Sequence, residues 1–402
     1  MAPPAPATRL LSRDFLLLWG LGAVGNAMRW LEALAAALFT LEATGSQLAV
    51  AVVSAARSLP LIFTAALAGV LADAVDRRWI VAGGLLLSAG AAGAVAVLAG
   101  EGALRPWHLF IAGLASGLVY GTDFSSRRRM LAESVVPGLV ARAIALDSLT
   151  GAGARVAGPL LGGVAYQFLG VAGTFAASAS LSLAAALATF GVRHAQARRR
   201  LSVRSVATDL VEAVAVVRRS AVLWALVVVT VGQNLFGFAY TTLIAPVGQD
   251  VFGASAALVG VLAAAEPAGG TLGGLALAAF GAPRGRPIWV FIFGSVWFLA
   301  LLALTAAAPG FWVVAVLLFA GGVGLALYSN EQTTVALAEA PEAARSRVLG
   351  LVMTAVGGWP VGMVLAGWLA DRMGPLAAMG TLGVAGLVWV AAAASGYARR
   401  AR

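Results

Sequence analysis

The sequence predicts an all-α membrane protein: twelve transmembrane helices built as two pseudo-symmetric six-helix bundles. Three observations lead there. The 402 residues are 61% hydrophobic and 11% charged, with a mean hydropathy of +0.92, whereas a soluble domain carries about 25% charge. A chain of this size cannot hide so much apolar surface in its own core, so the bilayer is its solvent. Apolar runs of transmembrane length alternate with short arginine-bearing loops. One long break, 193–220, divides the chain into sides that echo each other.

A helical span needs roughly 20 residues. Twelve segments meet that length, near 14–40, 47–72, 79–100, 106–130, 143–170, 172–192, 221–247, 255–280, 287–308, 311–336, 347–370 and 376–397. They are read as helices because open strands leave backbone groups unpaired in lipid, and the alternation of a barrel is missing. The expected organisation is a tail at 1–13, a bundle at 14–192, a central loop at 193–220, a second bundle at 221–397 and a tail at 398–402. The first apolar run is too long for a cleaved secretory signal and stays as a membrane helix.

Orientation follows from arginine. All 27 basic residues are arginine. Arg77, Arg78, Arg142, Arg284, Arg286, Arg345 and Arg347 share one set of loops with the termini and the central loop. The opposite loops hold only Arg105 and Arg372. The positive-inside rule therefore places both termini and the central loop in the cytoplasm, for a multi-pass protein of the bacterial cytoplasmic membrane. The same pattern accounts for the net charge of +10 without a nucleic-acid partner. Cysteine is absent, which removes disulfides, thiol nucleophiles and thiolate metal sites. His108 and His194 fall at expected membrane borders, and no metal or other cofactor is expected. Glycine-rich stretches such as GAGARVAG follow no strand and carry no Gly-Lys-Ser/Thr, so they read as close helix packing rather than a phosphate loop.

The echoes sit at nearly one offset. MLAESVVPGLVARAIAL at 130–146 answers ALAEAPEAARSRVLGL at 336–351, and GPLLGGVAYQFLG at 158–170 answers GMVLAGWLADRMG at 362–374. Duplicated six-helix halves are a transporter architecture, with the binding site near midplane.

GVLADAVDRR at 69–78 is similar to the loop 2–3 signature of the major facilitator superfamily, matched by Gly69, Asp73, Arg77 and Arg78. Asp76 stands where that family often has a second glycine. ARVAGPLLGG at 154–163 is similar to its antiporter-associated helix 5 signature, through Gly158, Pro159, Gly162 and Gly163. From Ser126 to Gly163 the chain most resembles the branch holding the enterobactin exporter and macrolide-efflux proteins. The resemblance implies that segments 1, 4, 7 and 10 line the cavity, that 2 pairs with 11, and that 5 pairs with 8. It also implies a cytoplasmic latch, for which Asp73 with Arg345 or Arg347 is the expected set.

A charge at the bilayer centre costs roughly 2.5–3.5 kcal/mol on insertion scales, so each one needs a reason. Asn26, Arg29 and Glu32 follow at i, i+3 spacing on one face of segment 1. They form either a polar stripe lining a cavity or a self-neutralising Arg29–Glu32 pair. Glu266 stands alone in segment 8, just before Pro267, and is the expected proton carrier. Arg155 lies at a comparable depth in segment 5. If segments 5 and 8 pack as the resemblance implies, Arg155 and Glu266 form either a coupling pair or a static one. Arg57 in segment 2 serves the seam with segment 11 or pairs with Glu32. Segment 4 brings Tyr120, Asp123 and the triplet Arg127, Arg128 and Arg129. The triplet is expected to snorkel to the interface, with Asp123 paired to Arg127 or, as a second reading, holding a proton. Gln233, Asn234 and Tyr240 in segment 7, with Asn330 and Glu331 in segment 10, complete a polar cavity with aromatic walls.

The expected function is secondary active export of a small amphipathic, drug- or siderophore-like molecule in exchange for protons, by alternating access in a monomer. Arg29 favours a cargo with an anionic or carbonyl group. An importer or lipid-moving facilitator on the same fold is the alternative, and a non-transporting sensor is a further one. No catalytic constellation of nucleophile and base is visible, so an enzyme is not expected.

Overall fold

A computed structural model describes residues 10–60, 76–192, 206–283 and 285–400. Gly69 and Asp73 lie outside these residues, and so does the side chain of Asp123. Every regular element among the described residues is helical. Eight of their helices are long and apolar enough to cross a membrane.

Segments 5 and 6 are continuous, segment 11 breaks at Gly357 and Gly358, residues 61–72 of segment 2 lie outside the described residues, and otherwise the helices fall on the expected segments. They are α1 (Arg13–Thr44), α2 (Gln47–Ala56), α3 (Arg77–Gly100), α4 (Pro106–Glu133), α5 (Val140–Thr189), α6 (Val206–Arg219), α7 (opening with Ala221–Gly232), α8 (Ala256–Phe280), α9 (Pro287–Leu304), α10 (Phe311–Glu339), α11 (Arg345–Val356), α12 (Trp359–Met373) and α13 (Pro375–Arg400). Their ends have local causes. Asp76 caps α3 by accepting from the Arg78 N–H at 3.0 Å, and Ser220 caps α7 through Leu223 N at 3.2 Å. Such caps satisfy first-turn amides that have no partner in the helix. Segments 5 and 6 run together as α5, and Gly170 at φ 62° marks the junction between them. Gly374 at φ 84° ends α12 before Pro375 opens α13. Glycine alone takes that left-handed backbone at little cost.

The central break was expected to be loop. The structure places α6 in it, amphipathic and ending on Arg218 and Arg219. Its apolar side packs on α11. Glu212 and Arg347 close an ion pair across them at 2.7 Å. A polar segment that gains an apolar face at helical spacing folds when it finds a surface to cover.

The chain divides into two compact units. Unit 1 comprises residues 1–43 and 56–203, and unit 2 comprises 44–55 and 204–402. In unit 1, a cluster of Phe15, Leu18, Leu85, Met130 and Leu131 is fully or nearly buried. Charge is buried beside it. Arg127 is 2% exposed and donates to Asp147 of α5 at 2.7 Å, and Arg128 reaches the same carboxylate at 3.2 Å. Arg77, also 2% exposed, pairs with Glu133 at 3.0 Å, and Arg129 joins Glu133 at 3.2 Å. This corrects the snorkelling expectation: only Arg129 of the triplet is exposed, and the other two tie α4 to α5. Arg77 likewise is the buried first residue of α3 and no solvated loop charge.

In unit 2, small residues set the helix spacing. A Cβ at Gly269 would strike the backbone of Phe319, and one at Gly322 the backbone of Glu266, so α8 and α10 meet backbone to backbone. Gly294 and Gly324 do the same for α9 and α10. Close approach of this kind drives helix association where lipid removes the hydrophobic incentive. α2 starts against α12: Asp371 accepts from Gln47 N at 2.8 Å, Leu48 N at 3.4 Å and the Ser46 hydroxyl at 3.2 Å. The Gln47 side chain continues to Asp250 at 3.0 Å.

Candidate functional site

Each unit carries its own polar cluster among its helices. In unit 1 the cluster is built on α1. Gly158 and Gly162 of the helix 5 motif lie against it: a Cβ at 158 would stand 3.0 Å from Ala27 O, and one at 162 would stand 2.9 Å from Leu31 O. Pro159 and Gly163 are buried beside them. The motif thus lets α5 touch the α1 backbone, which brings Arg155 to Trp30, its guanidinium 5.6 Å from the ring centroid.

Arg29 sits next to that ring. Its guanidinium lies 3.7 Å from the Tyr120 centroid and 5.0 Å from that of Trp30. Its Nε is buried without a hydrogen-bond partner. Among the described residues no carboxylate pairs with it. The self-neutralising Arg29–Glu32 pair is therefore not formed. Glu32 instead faces Arg57 at 3.9 Å and accepts from the Ser178 hydroxyl at 2.6 Å. Arg57 also donates to the Arg29 carbonyl at 2.6 Å and to Ser116 at 3.0 Å. Asn26 turns back to its own helix, donating to Gly22 O at 2.9 Å. The stripe on α1 thus splits by role: Glu32 is spent on Arg57, while Arg29 keeps an unmatched positive charge on an aromatic bed.

In unit 2 the cluster is built on an irregular α7. After Gly232 the helix widens into a π turn at Gln233–Gly237, tightens to 3₁₀ over Phe238–Leu243, and widens again at Val247–Val251. π turns inside helices commonly mark functional positions. Gln233 is fully buried; its Oε1 accepts from Ser295 at 2.5 Å and its Nε2 has no partner. Asn234 donates to Thr230 O at 2.9 Å. Tyr240 donates to the Glu266 carboxylate at 3.1 Å, and both are buried. Glu331 is 3% exposed and accepts from Asn330 at 3.0 Å, while Asn330 itself is exposed. Gln332 joins Thr230 and Tyr328, each at 2.9 Å.

The structure therefore sets Arg29 between Tyr120 and Trp30, with Arg155 also near Trp30, in one unit, and joins Tyr240 to Glu266 and Gln233 to Ser295 in the other. Trp30, Ser116, Ser178 and Ser295 were missed in the sequence. A tryptophan or serine in an apolar run carries no signal until its neighbour on another helix is known. Of the expected latch, Arg78 donates to Val192 O at 3.3 Å, Arg345 is exposed, and Arg347 holds Glu212. Among the described residues, no cluster of three or more acidic or histidine side chains could hold a metal ion.

Comparison with known proteins agrees with this architecture. No curated protein matches the chain. Solved transporters share the fold at low identity. A bacterial homolog of the human lysosomal transporter Spinster aligns with TM-score 0.76 and 15% identity, over 98% of this chain and 97% of that one. A POT family transporter in complex with 5-aminolevulinic acid gives 0.76 and 11%, over 99% of both. The nucleoside transporter NupG gives 0.67 and 14%, over 97% and 98%. The family described as "transmembrane secretion effector", of the major facilitator type, matches residues 5–402, and so the chain belongs to that family and is a membrane transporter of that type.

Proposed function

We propose that the protein exports a small amphipathic molecule bearing an anionic or carbonyl group, in exchange for protons, by alternating access. The observation that carries this reading is Arg29, a guanidinium within a membrane helix with no carboxylate partner among the described residues. A buried charge left unmatched by the protein is stabilised by what it binds. Tyr120 and Trp30 hold its flat face by cation–π contact and leave its N–H groups for a ligand oxygen. The aromatic rings suit the apolar part of the same molecule.

Export is supported by the family's description as a secretion effector and by the helix 5 glycines against α1. Proton exchange rests on Glu266, a buried carboxylate in an apolar span that accepts from the Tyr240 hydroxyl. The proposed setting is a bacterial cytoplasmic membrane, with a monomer whose arginine-rich loops face the cytoplasm.

The test is uptake into inverted vesicles of a panel of amphiphiles matched in size and differing in charge. Accumulation of anionic or carbonyl-rich members that needs a proton gradient, and is lost in Arg29→Gln, supports the proposal. Equal accumulation of cationic members, or transport in Glu266→Gln that still follows the proton gradient, overturns the cargo and the coupling halves respectively.

A further inference from the structure

Unit 2 has a cavity of about 410 Å³ where α6, α7, α11 and α13 meet. Two exposed arginines stand at its edge: Arg218 in the last turn of α6 and Arg400 in the last turn of α13. Its apolar wall includes Val214, Val227 and Leu351. Arg400 lies over Trp224, 4.4 Å from the ring centroid. Neither arginine has a carboxylate partner among the described residues. The nearby carboxylate of Glu212 is already engaged by Arg347.

We infer that this cavity binds the phosphate and upper acyl chain of an anionic phospholipid. Two guanidiniums suit a phosphodiester, because each can donate two parallel hydrogen bonds to phosphate oxygens. The valine and leucine wall gives nothing to a free phosphate ion but matches a glycerol and the first methylenes of a chain. Tryptophan is the side chain that sits at headgroup depth. The volume is in the usual range for a small-molecule site. The cavity is also placed to receive lipid, since α7 and α13 are membrane helices and both arginines end their helices. Basic pockets between membrane helices at the arginine-rich side take anionic headgroups. Because α6 already packs on α11, an occupant of this cavity would bind α6 to α7 and α13 as well.

The probe is dioleoylphosphatidylglycerol, titrated into the purified full chain in neutral detergent, with adducts counted by native mass spectrometry and melting followed in parallel. Dioleoylphosphatidylcholine and inorganic phosphate are the comparison arms. The anionic lipid should bind and raise the melting temperature, and Arg218→Ala with Arg400→Ala should weaken it by about thirtyfold, the scale of two interfacial arginines. The neighbouring pair Arg219→Ala with Arg399→Ala should keep most of the binding. Val214→Trp keeps both arginines but fills the slot, and should lose the lipid adduct while remaining folded. Equal loss in the neighbouring pair, equal binding of phosphatidylcholine or phosphate, or an unchanged adduct in Val214→Trp would each overturn the inference.

Discussion

Arg29 and Arg127 are both arginines inside the helical bundle of unit 1, yet the structure gives them opposite duties. Arg127 is matched by Asp147; Arg29 is matched only by aromatic faces. Arg29→Gln should lower transport of an anionic cargo by about tenfold to a hundredfold, the scale of a charge-assisted hydrogen bond, with little change in melting temperature. Arg29→Lys should recover little of it, since an ammonium lacks the planar face that lies on Tyr120. Arg127→Met should instead cost about 1–3 kcal/mol of stability, because it removes one of the two guanidiniums that hold the buried Asp147 carboxylate. Pairing it with Asp147→Leu should restore most of that loss, as thermal melts in detergent would show. At this scale positions were more legible than partners. Spacing along one helix pointed Glu32 at Arg29 and Arg127 at Asp123. For Glu32 the structure describes Arg57, one of the two readings given for that arginine; Asp147 on α5 was not anticipated for Arg127, and the expected Asp123 pairing falls on a side chain outside the described residues.

Elements were far more legible. Apolar run length located the helices because a bilayer imposes nearly one length on all of them. The breaks were marked by glycine, proline and capping residues. Two features escaped. α6 was read as loop because its stability comes from the face it lays on α11, and propensity alone does not reveal that. The π turns of α7 escaped because one extra residue per turn leaves hydropathy unchanged. Removing one residue from 233–237 should restore a regular helix and swing Tyr240 away from Glu266, abolishing transport while helical content by circular dichroism stays the same. The helix 5 glycines give a second prediction at this scale. Gly162→Val should destabilise by about 1–3 kcal/mol or more through overpacking against Leu31, read as a lower melting temperature. Gly153→Val, whose added Cβ meets nothing within 4 Å, should be close to neutral.

For the molecule as a whole, arginine placement makes an orientation that is simple to check, since the chain has no cysteine of its own. Glu101→Cys should react with a membrane-impermeant maleimide in intact cells, and Arg219→Cys only after permeabilisation. The reverse pattern would invert the proposed topology. The exposed Glu212–Arg347 pair should matter little to overall stability, with Glu212→Ala costing less than about 1 kcal/mol.

The twelve residues 44–55 lie early in the chain yet belong to unit 2, with Asp371 holding the start of their helix. A gene divided at the central break would therefore produce a second fragment lacking one of its own packing pieces. That fragment, made alone, should be protease-sensitive around 359–373. Co-expressing the first fragment should protect it, and a synthetic peptide spanning 44–56 should protect it in part. Chain order and spatial grouping thus differ here: the second unit draws one of its pieces from the first half of the message.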